Sequence, residues 1–243
     1  MSIYNEAQRM ADKLGGHYMD QFTYAERATD WRSNNNIAES IFEQMRLEKY
    51  PVPSWLVSSA GTGGTVATLG RYVRYRARPT RVCAADAEFS VFFEHYRKRD
   101  PELRLYEGSR IEGIGRPRVE ASFLPAVIDA MVKVPDVWSV AAMYELSARL
   151  GRGVGPSTGT NLIAALACMD AMRASSESGS VVTLLCDAGQ RYADTYYSEG
   201  WLQRAGLNCA GERIAVAASL DSDEIATPLA ASWQIAGDLS DGD

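Results

Sequence analysis

The sequence has few of the residues from which metal centres and disulfide frameworks are built. It contains two histidines and four cysteines in 243 residues, and the cysteines are widely spaced, with no C-x-x-C pair. Because His17 and His95 are far apart, no Ser-His-Asp or metal-ligand arrangement is supported. Buried thiols in a reducing cytosol are therefore a better interpretation of the cysteines than disulfide bonds or a metal site.

Long apolar runs and an excess of positive charge are also absent. No apolar run approaches the ~18 residues of a membrane-spanning helix, and the N-terminus has no signal-peptide pattern. The net charge of −6 argues against nucleic acid or an anionic membrane as the main partner. An apolar fraction of 46% and a charged fraction of 23% are ordinary for a globular protein. We therefore expect a cytoplasmic globular protein.

Short apolar runs alternate with amphipathic segments along most of the chain. This alternation predicts a parallel sheet covered by helices on both faces, which is an α/β fold. Ligands then bind at the carboxyl ends of the strands. The predicted strands cover residues 17–22, 55–57, 80–85 and 181–186. The predicted helices cover residues 4–14, 36–47, 123–131, 139–150, 161–172 and 192–204, with one more after the glycine turn described below.

The alternating pattern fades near the C-terminus. At 243 residues the chain can bury one substantial core, alone or with an appendage. We expect the main domain to cover residues 1–209. Residues 210–243 contain small and acidic residues without a lysine, and we expect them to form a C-terminal appendage with a mobile acidic end.

One stretch dominates the rest of the sequence. The apolar run at residues 55–57 leads into a glycine turn and then into an amphipathic segment, which is the order strand, turn, helix. The residues of the turn are Gly61, Thr62, Gly63, Gly64 and Thr65. Glycines let the main chain approach a ligand closely, and the first N–H groups of the helix, with the threonine hydroxyls, favour a phosphate dianion. The alternative is a tight turn with a threonine cap and no ligand.

The sequence of this turn excludes two common phosphate-binding loops. It has no Gly-Lys-Ser/Thr ending, and its spacing is not G-x-G-x-x-G. The string Gly-Thr-Gly-Gly-Thr, with Gly-Arg-Tyr-Val-Arg after it, instead resembles the phosphate-binding loop of the cysteine synthase and cystathionine β-synthase family. Four further segments resemble that family in the same order along the chain: residues 19–22, 112–115, 155–161 and 186–192.

The resemblance implies a pyridoxal 5′-phosphate cofactor and the large-domain portion of a fold-type II enzyme, the tryptophan-synthase-β fold, with most of the small domain missing. The glycine turn would bind the cofactor phosphate, and Ser157 would form a hydrogen bond at the pyridine nitrogen. Gln21 would bind the substrate carboxylate, Phe22 would form a wall of the pocket, and Gly113 would face the substrate edge of the cofactor. Each residue also has a structural alternative. Gln21 would then be an ordinary loop residue, Phe22 a core residue, Gly113 part of an ordinary glycine turn, and Ser157 a helix N-cap.

The lysine on which the chemistry of this family depends has no counterpart in the sequence. In the family it holds the cofactor as an imine and moves the substrate α-proton, and its segment lies upstream of the one that residues 19–22 resemble. The chain's lysines stand in no matching context; they are Lys13, Lys49, Lys98 and Lys133. We therefore assign no catalytic residue, expect this chain to be deficient alone, and interpret Met1 as a truncated or misassigned start, with a small domain encoded upstream.

The resemblance implies β-elimination or β-replacement on cysteine or O-acetylserine, as in cysteine desulfhydrase or cysteine synthase. Residues 116–119 depart from the common cysteine synthase sequence. The altered loop, together with an overall resemblance to the L-cysteine desulfhydrase branch of the family, slightly favours elimination with release of sulfide. Arg116 and Arg118 either hold an anionic substrate group or form a solvated pair. The alternative function is a non-catalytic remnant that binds the phosphate cofactor or a partner subunit, and an unrelated α/β phosphate binder ranks last. For its assembly, the family suggests a homodimer.

Overall fold

The computed structural model describes residues 3–32 and 35–239, which form ten α-helices around one sheet. The strands are β1 (Trp55–Ser59), β2 (Arg81–Ala87), β3 (Ala130–Val134), β4 (Val181–Thr183) and β5 (Gln234–Gly237). The helices are α1 (Ile3–Leu14), α2 (Gln21–Tyr24), α3 (Ile37–Met45), α4 (Gly64–Tyr75), α5 (Phe92–Lys98), α6 (Asp136–Leu150), α7 (Pro156–Ala174), α8 (Glu199–Arg204), α9 (Ala210–Leu220) and α10 (Thr227–Ala230). Short 3₁₀ helices cover Ala25–Arg27, Pro125–Val127 and Gly189–Tyr192.

The strand order across the sheet is β4-β1-β2-β3-β5. The first four of these strands are parallel, and β5 pairs with β3 in the antiparallel direction. The predicted α/β fold with a parallel sheet flanked by helices is thus confirmed. Because the parallel strands run in one direction, their carboxyl ends meet at the same edge of the sheet, where ligand sites of such folds lie.

The two faces of the sheet carry separate hydrophobic cores. Successive side chains of a strand point to opposite faces, so Trp55 and Val57 pack with residues of α6 and α7. Leu56 and Val82 belong to the other core, together with residues of α3 and α4. All residues of β1 are buried, which is why its first three residues form an apolar run without polar alternation.

Three predicted elements differ from the structure. The strand expected at residues 17–22 is absent from these described residues, and the short helix α2 begins at Gln21 instead. Residues 123–131, expected to be helical, form a 3₁₀ turn and the start of β3. Helical structure at residues 192–204 is confined to the end of a 3₁₀ helix and α8. Short apolar runs fit a buried strand and a helix equally well, so tertiary packing decides between them.

Residues 210–239 pack on the rest of the chain, and the domain boundary expected at residue 210 stays a prediction. Val216 of α9 and Leu229 of α10 are fully buried in the core that contains α6 and α7. β5 extends the sheet by pairing with β3. The alanine-rich sequence hides this packing because small side chains give little helical periodicity. The end of the predicted acidic tail, residues 240–243, lies outside the described residues.

Candidate active site

Asn161, near the start of α7, joins the ends of two strands. Its Oδ1 accepts a hydrogen bond of 2.7 Å from the backbone N–H of Ser59, the last residue of β1. Its Nδ2 donates to the carbonyl oxygen of Leu184, just after β4, at 3.1 Å. Asn161 is fully buried, so these bonds fix the N-terminus of α7 at the carboxyl edge of the sheet. Our sequence analysis did not assign it this role, and its only signal was a polar residue at the start of an apolar helix.

The predicted segments 155–161 and 186–192 lie against each other at this edge. The Thr158 hydroxyl accepts a hydrogen bond from the N–H of Cys186 at 2.9 Å, and the N–H of Gly155 donates to the carbonyl oxygen of Asp187 at 2.8 Å. Tyr192 donates its hydroxyl to the Asp187 carboxylate at 2.8 Å. Burial, and then this hydrogen bond, raise the pKa of Tyr192, so the phenol stays neutral.

Ser157 is a largely buried residue whose hydroxyl has no hydrogen-bond partner in the part of the chain that the structure describes. It lies in the first turn of α7 and is 5% exposed. The N-cap position belongs to Gly155, so Ser157 does not take the capping role that was the alternative to cofactor binding. Its hydroxyl is therefore free to form a hydrogen bond with a ligand at this edge of the sheet.

The glycine turn connects β1 to α4 as predicted. Gly63 has φ 92°, a left-handed conformation that favours glycine, and the N–H of Gly64 donates to the Thr62 hydroxyl at 3.3 Å. A Cβ atom at Gly61 would overlap the carbonyl oxygen of Gly113. Thr65 is exposed in the first turn of α4. The N-terminal turn of this helix thus offers backbone N–H groups to an anion.

A cavity of about 400 Å³ brings together several of the predicted site residues. Its lining includes Gln21, Phe22, Gly61, Thr62 and Gly113. The predicted substrate residues and the start of the glycine turn therefore share one space. The cavity lining does not include Gly63, Gly64, Thr65 or Ser157.

Ser122 holds the Gln21–Phe22 segment to the glycine turn. Its hydroxyl contacts the carbonyl oxygens of Phe22, at 2.7 Å, and Thr62. Its backbone N–H also donates to the Phe22 carbonyl, at 3.2 Å. Ser122 is fully buried. Nothing in the sequence distinguishes this serine from others, because its role depends on contacts between residues distant along the chain.

Two arginines share one carboxylate beside the cavity. Arg116 and Arg118 each donate from Nε to Oε1 of Glu120, at 3.0 and 3.1 Å. Arg116 also donates to the Tyr4 hydroxyl, and its guanidinium lies 4.1 Å from the centroid of the Phe22 ring. The hydrogen bond to Glu120 raises the pKa of Arg118. The pair is thus held in place, which differs from the solvated pair considered as an alternative.

None of the chain's four lysines, all within the described residues, lines this cavity. Lys133 is half-buried on β3, and its register partner on β2 is the buried Asp86. Lys98 is paired with Glu94 on α5, at 2.9 Å. No described lysine therefore holds the position that imine formation in this cavity would need.

A family model described as pyridoxal-phosphate dependent enzyme matches residues 1–187 of the chain. This chain belongs to the family of pyridoxal-phosphate dependent enzymes. The predicted family and cofactor are thereby confirmed. No helix among the described residues is long and apolar enough to cross a membrane.

Named members of the family are similar over most of this chain. L-cysteine desulfhydrase Cds1 of Mycobacterium tuberculosis is 59% identical over 214 residues, which are 88% of this chain and 58% of that protein. Cysteine synthase 2 of Schizosaccharomyces pombe is 28% identical over 79% of this chain and 49% of its own length. The chain thus spans 58% and 49% of the lengths of these two relatives.

Solved structures show the same fold. A hydrogen sulfide-producing enzyme from Fusobacterium nucleatum aligns with a TM-score of 0.64 at 22% identity, over 80% of this chain and 55% of that one. An O-ureido-L-serine synthase aligns with a TM-score of 0.62 at 23% identity, over 82% and 60% of the two chains. These alignments support the fold-type II architecture of the sheet and its helices.

The residues at the carboxyl edge fit pyridoxal phosphate. The N-terminal turn of α4 suits its phosphate, and the unpaired hydroxyl of Ser157 suits its pyridine nitrogen. A hydroxyl at that nitrogen leaves it largely unprotonated, whereas a carboxylate would favour protonation. The individual roles of Ser157 and of residues 61–65 remain predictions.

Proposed function

We propose that this chain is the cofactor- and substrate-binding portion of an enzyme that acts at the β-carbon of cysteine or O-acetylserine, with elimination of sulfide as the favoured reaction. The observation that carries the proposal is the shared cavity, in which Gly61 and Thr62 of the glycine turn meet Gln21, Phe22 and Gly113. The 59% identity to an L-cysteine desulfhydrase supports this choice of reaction.

Pyridoxal phosphate, when bound, supplies an electron sink that stabilises negative charge at the substrate's α-carbon. The chain's own residues bind and orient the cofactor and the substrate. The N–H groups of the first turn of α4 bind the phosphate, and Ser157 sets the electronic state of the ring through the pyridine nitrogen. The amide of Gln21 donates to the substrate carboxylate without a change of protonation state. Phe22 and the main chain at Gly113 exclude water from the reacting end.

A second candidate function is cofactor binding without catalysis. It is favoured by the lysine positions, since no lysine of the described ranges lines the cavity. Without an imine bond, the cofactor is held only by hydrogen bonds and charge, so we expect weak, reversible binding.

The four free cysteines support a reducing compartment, for which we propose the cytoplasm.

Borohydride reduction of the purified chain with pyridoxal phosphate tests these functions. We expect reversible cofactor binding by absorbance titration, with no single reduced lysine adduct in peptide mass spectra. One specific adduct together with sulfide release from cysteine would establish an active enzyme and identify its lysine. A chain that does not bind pyridoxal phosphate at all would contradict both candidate functions.

A further inference from the structure

Beside the cavity, the cluster of Arg116, Arg118 and Glu120 holds one more guanidinium than carboxylate. Both arginines donate to the same oxygen of Glu120. The Glu120 side chain is 5% exposed, so its carboxylate is fixed between them. Two positive charges share one negative charge, and the cluster keeps one net positive charge.

Arg116 is the member of this cluster that reaches the cavity. Its Nε and Nη2 are used by Glu120 and Tyr4, whereas its Nη1 has no hydrogen-bond partner among residues 3–32 and 35–239. The guanidinium stacks on Phe22, which also lines the cavity. Packing and hydrogen bonds thus fix the orientation of Arg116 and leave one nitrogen for a ligand.

One carboxylate lines the described part of the cavity together with Arg116. The other ionisable residue there is Glu112, whose carboxylate accepts a hydrogen bond of 3.0 Å from Arg191. Arg191 also lies 4.0 Å from the Asp187 carboxylate, and the Glu112 side chain is half-exposed, so Arg191 and solvent together screen the charge of Glu112. Arg116 therefore offers an anion a fixed positive charge beside Phe22, at a position different from the predicted phosphate site in the first turn of α4.

We propose that Arg116 is a specificity-determining residue that binds the sulfur anion of the reaction, hydrosulfide. This inference rests on the proposed function. In elimination from cysteine, the bond between the β-carbon and sulfur breaks, its electron pair stays on sulfur, and HS⁻ leaves with the proton it already carried. In replacement on O-acetylserine, the bond between the β-carbon and oxygen breaks and acetate leaves with its electron pair; hydrosulfide then enters and supplies the electron pair of the new bond to the β-carbon. A fixed positive charge favours the anion in both directions.

The test uses the ¹⁵N-labelled chain without cofactor and sodium hydrosulfide as the probe, under nitrogen at pH 8. Nuclear magnetic resonance follows the Nε–H signal of Arg116 and the amides of Gly113 and Gly115. We expect saturable shifts in the native chain and affinity at least ~10-fold weaker in Arg116→Gln. Arg116→Lys keeps the charge and should retain part of the affinity. Arg46→Gln changes an exposed arginine paired with Glu43 and should have no effect.

The variant Glu120→Gln distinguishes an electrostatic role of the arginine cluster from a purely structural role. If net charge binds the anion, removal of the Glu120 charge strengthens hydrosulfide binding, whereas a purely structural role makes this variant as weak as Arg116→Gln. Absent shifts, or equal affinity in the native chain and Arg116→Gln, would overturn the inference. Cofactor titration of the same samples distinguishes the two proposals. Normal cofactor binding without hydrosulfide binding would refute only the proposed anion site. Hydrosulfide binding without cofactor binding would instead refute the proposed function.

Discussion

The carbonyl oxygen of Gly113 occupies the space that a side chain at Gly61 would need. Gly61 begins the turn after β1, and Gly113 lies in a loop more than fifty residues later in the chain. Their contact joins the predicted phosphate-binding turn to the predicted substrate loop. A shift of either segment therefore displaces the other.

Gly61→Ala tests this contact. Its Cβ atom has to push the Gly113 loop away, so we expect the free energy of unfolding to fall by about 1–3 kcal/mol. We also expect pyridoxal phosphate to bind at least ~10-fold more weakly. Urea denaturation and absorbance titration measure the two effects. Gly108→Ala is the matched control, because Gly108 lines the same cavity and a Cβ atom there meets nothing within 4 Å. Equal effects of the two variants would show that the contact between Gly61 and Gly113 determines neither stability nor cofactor affinity.

Ser157→Ala should separate binding from stability. The Ser157 hydroxyl lacks a described partner, so its removal should leave the free energy of unfolding unchanged or raise it by up to ~1 kcal/mol. Affinity for pyridoxal phosphate should fall, with a change in the absorption spectrum of the bound cofactor. Thr160→Ala provides the contrast, because the Thr160 hydroxyl donates to Ser139 at 2.8 Å. We expect that variant to lose about 1–2 kcal/mol with less change in cofactor affinity. A large loss of stability in Ser157→Ala would contradict the finding that the Ser157 hydroxyl has no hydrogen-bond partner among the described residues.

The sequence predicted the parts of the molecule that are fixed by local pattern. The apolar run that became β1 and the glycine turn after it are local signals, and both lie where they were expected. The residues of the site that sequence analysis missed act over long separations. Ser122 contacts residues 60 and 100 positions away, and Asn161 contacts one 102 positions away. No local pattern distinguishes such a serine or asparagine before the fold is known.

The misassigned elements have the same physical origin. Residues 123–131 have apolar spacing that fits a helix, yet Ala130 and Met131 are fully buried in β3 beside β2. Pairing with β2 and burial between the two cores outweigh helix propensity there. The C-terminal helix α9 was missed because Val216 and Ser219 are the residues that it buries, which leaves little apolar periodicity in its sequence.

Ser122→Ala should loosen the N-terminal segment from the glycine turn. The variant loses the hydroxyl contacts to Phe22 and Thr62 but keeps the backbone hydrogen bond to Phe22. We expect a loss of about 1–2 kcal/mol in the free energy of unfolding, and faster proteolysis within residues 3–32. Limited proteolysis with mass spectrometry measures this opening. Ser175→Ala serves as control, since its hydroxyl bonds only within the end of α7. Unchanged cleavage of the N-terminal segment would show that other contacts hold it.

The buried carboxyl of Asp86 should make stability depend on pH. Asp86 is fully buried on β2, and burial raises its pKa to about 6. Hydrogen bonds from Ser90 and from the backbone N–H of Phe93, and the charge of Lys133, oppose this rise without cancelling it. The folded chain therefore holds a proton at pH values where an unfolded aspartic acid, with a pKa of about 3.9, has lost it.

The sign of the effect follows from this difference in proton binding. A raised pKa in the folded state gives stability that is fully present below about pH 4 and is lost as the pH rises through about 6. The shift of two units corresponds to about 3 kcal/mol. We expect the difference in unfolding free energy between the native chain and Asp86→Asn to shrink by this amount between pH 4 and 7, measured by urea denaturation. If the variant does not fold, carbon-detected titration of Asp86 in the native chain decides, and a pKa near 4 would contradict the prediction.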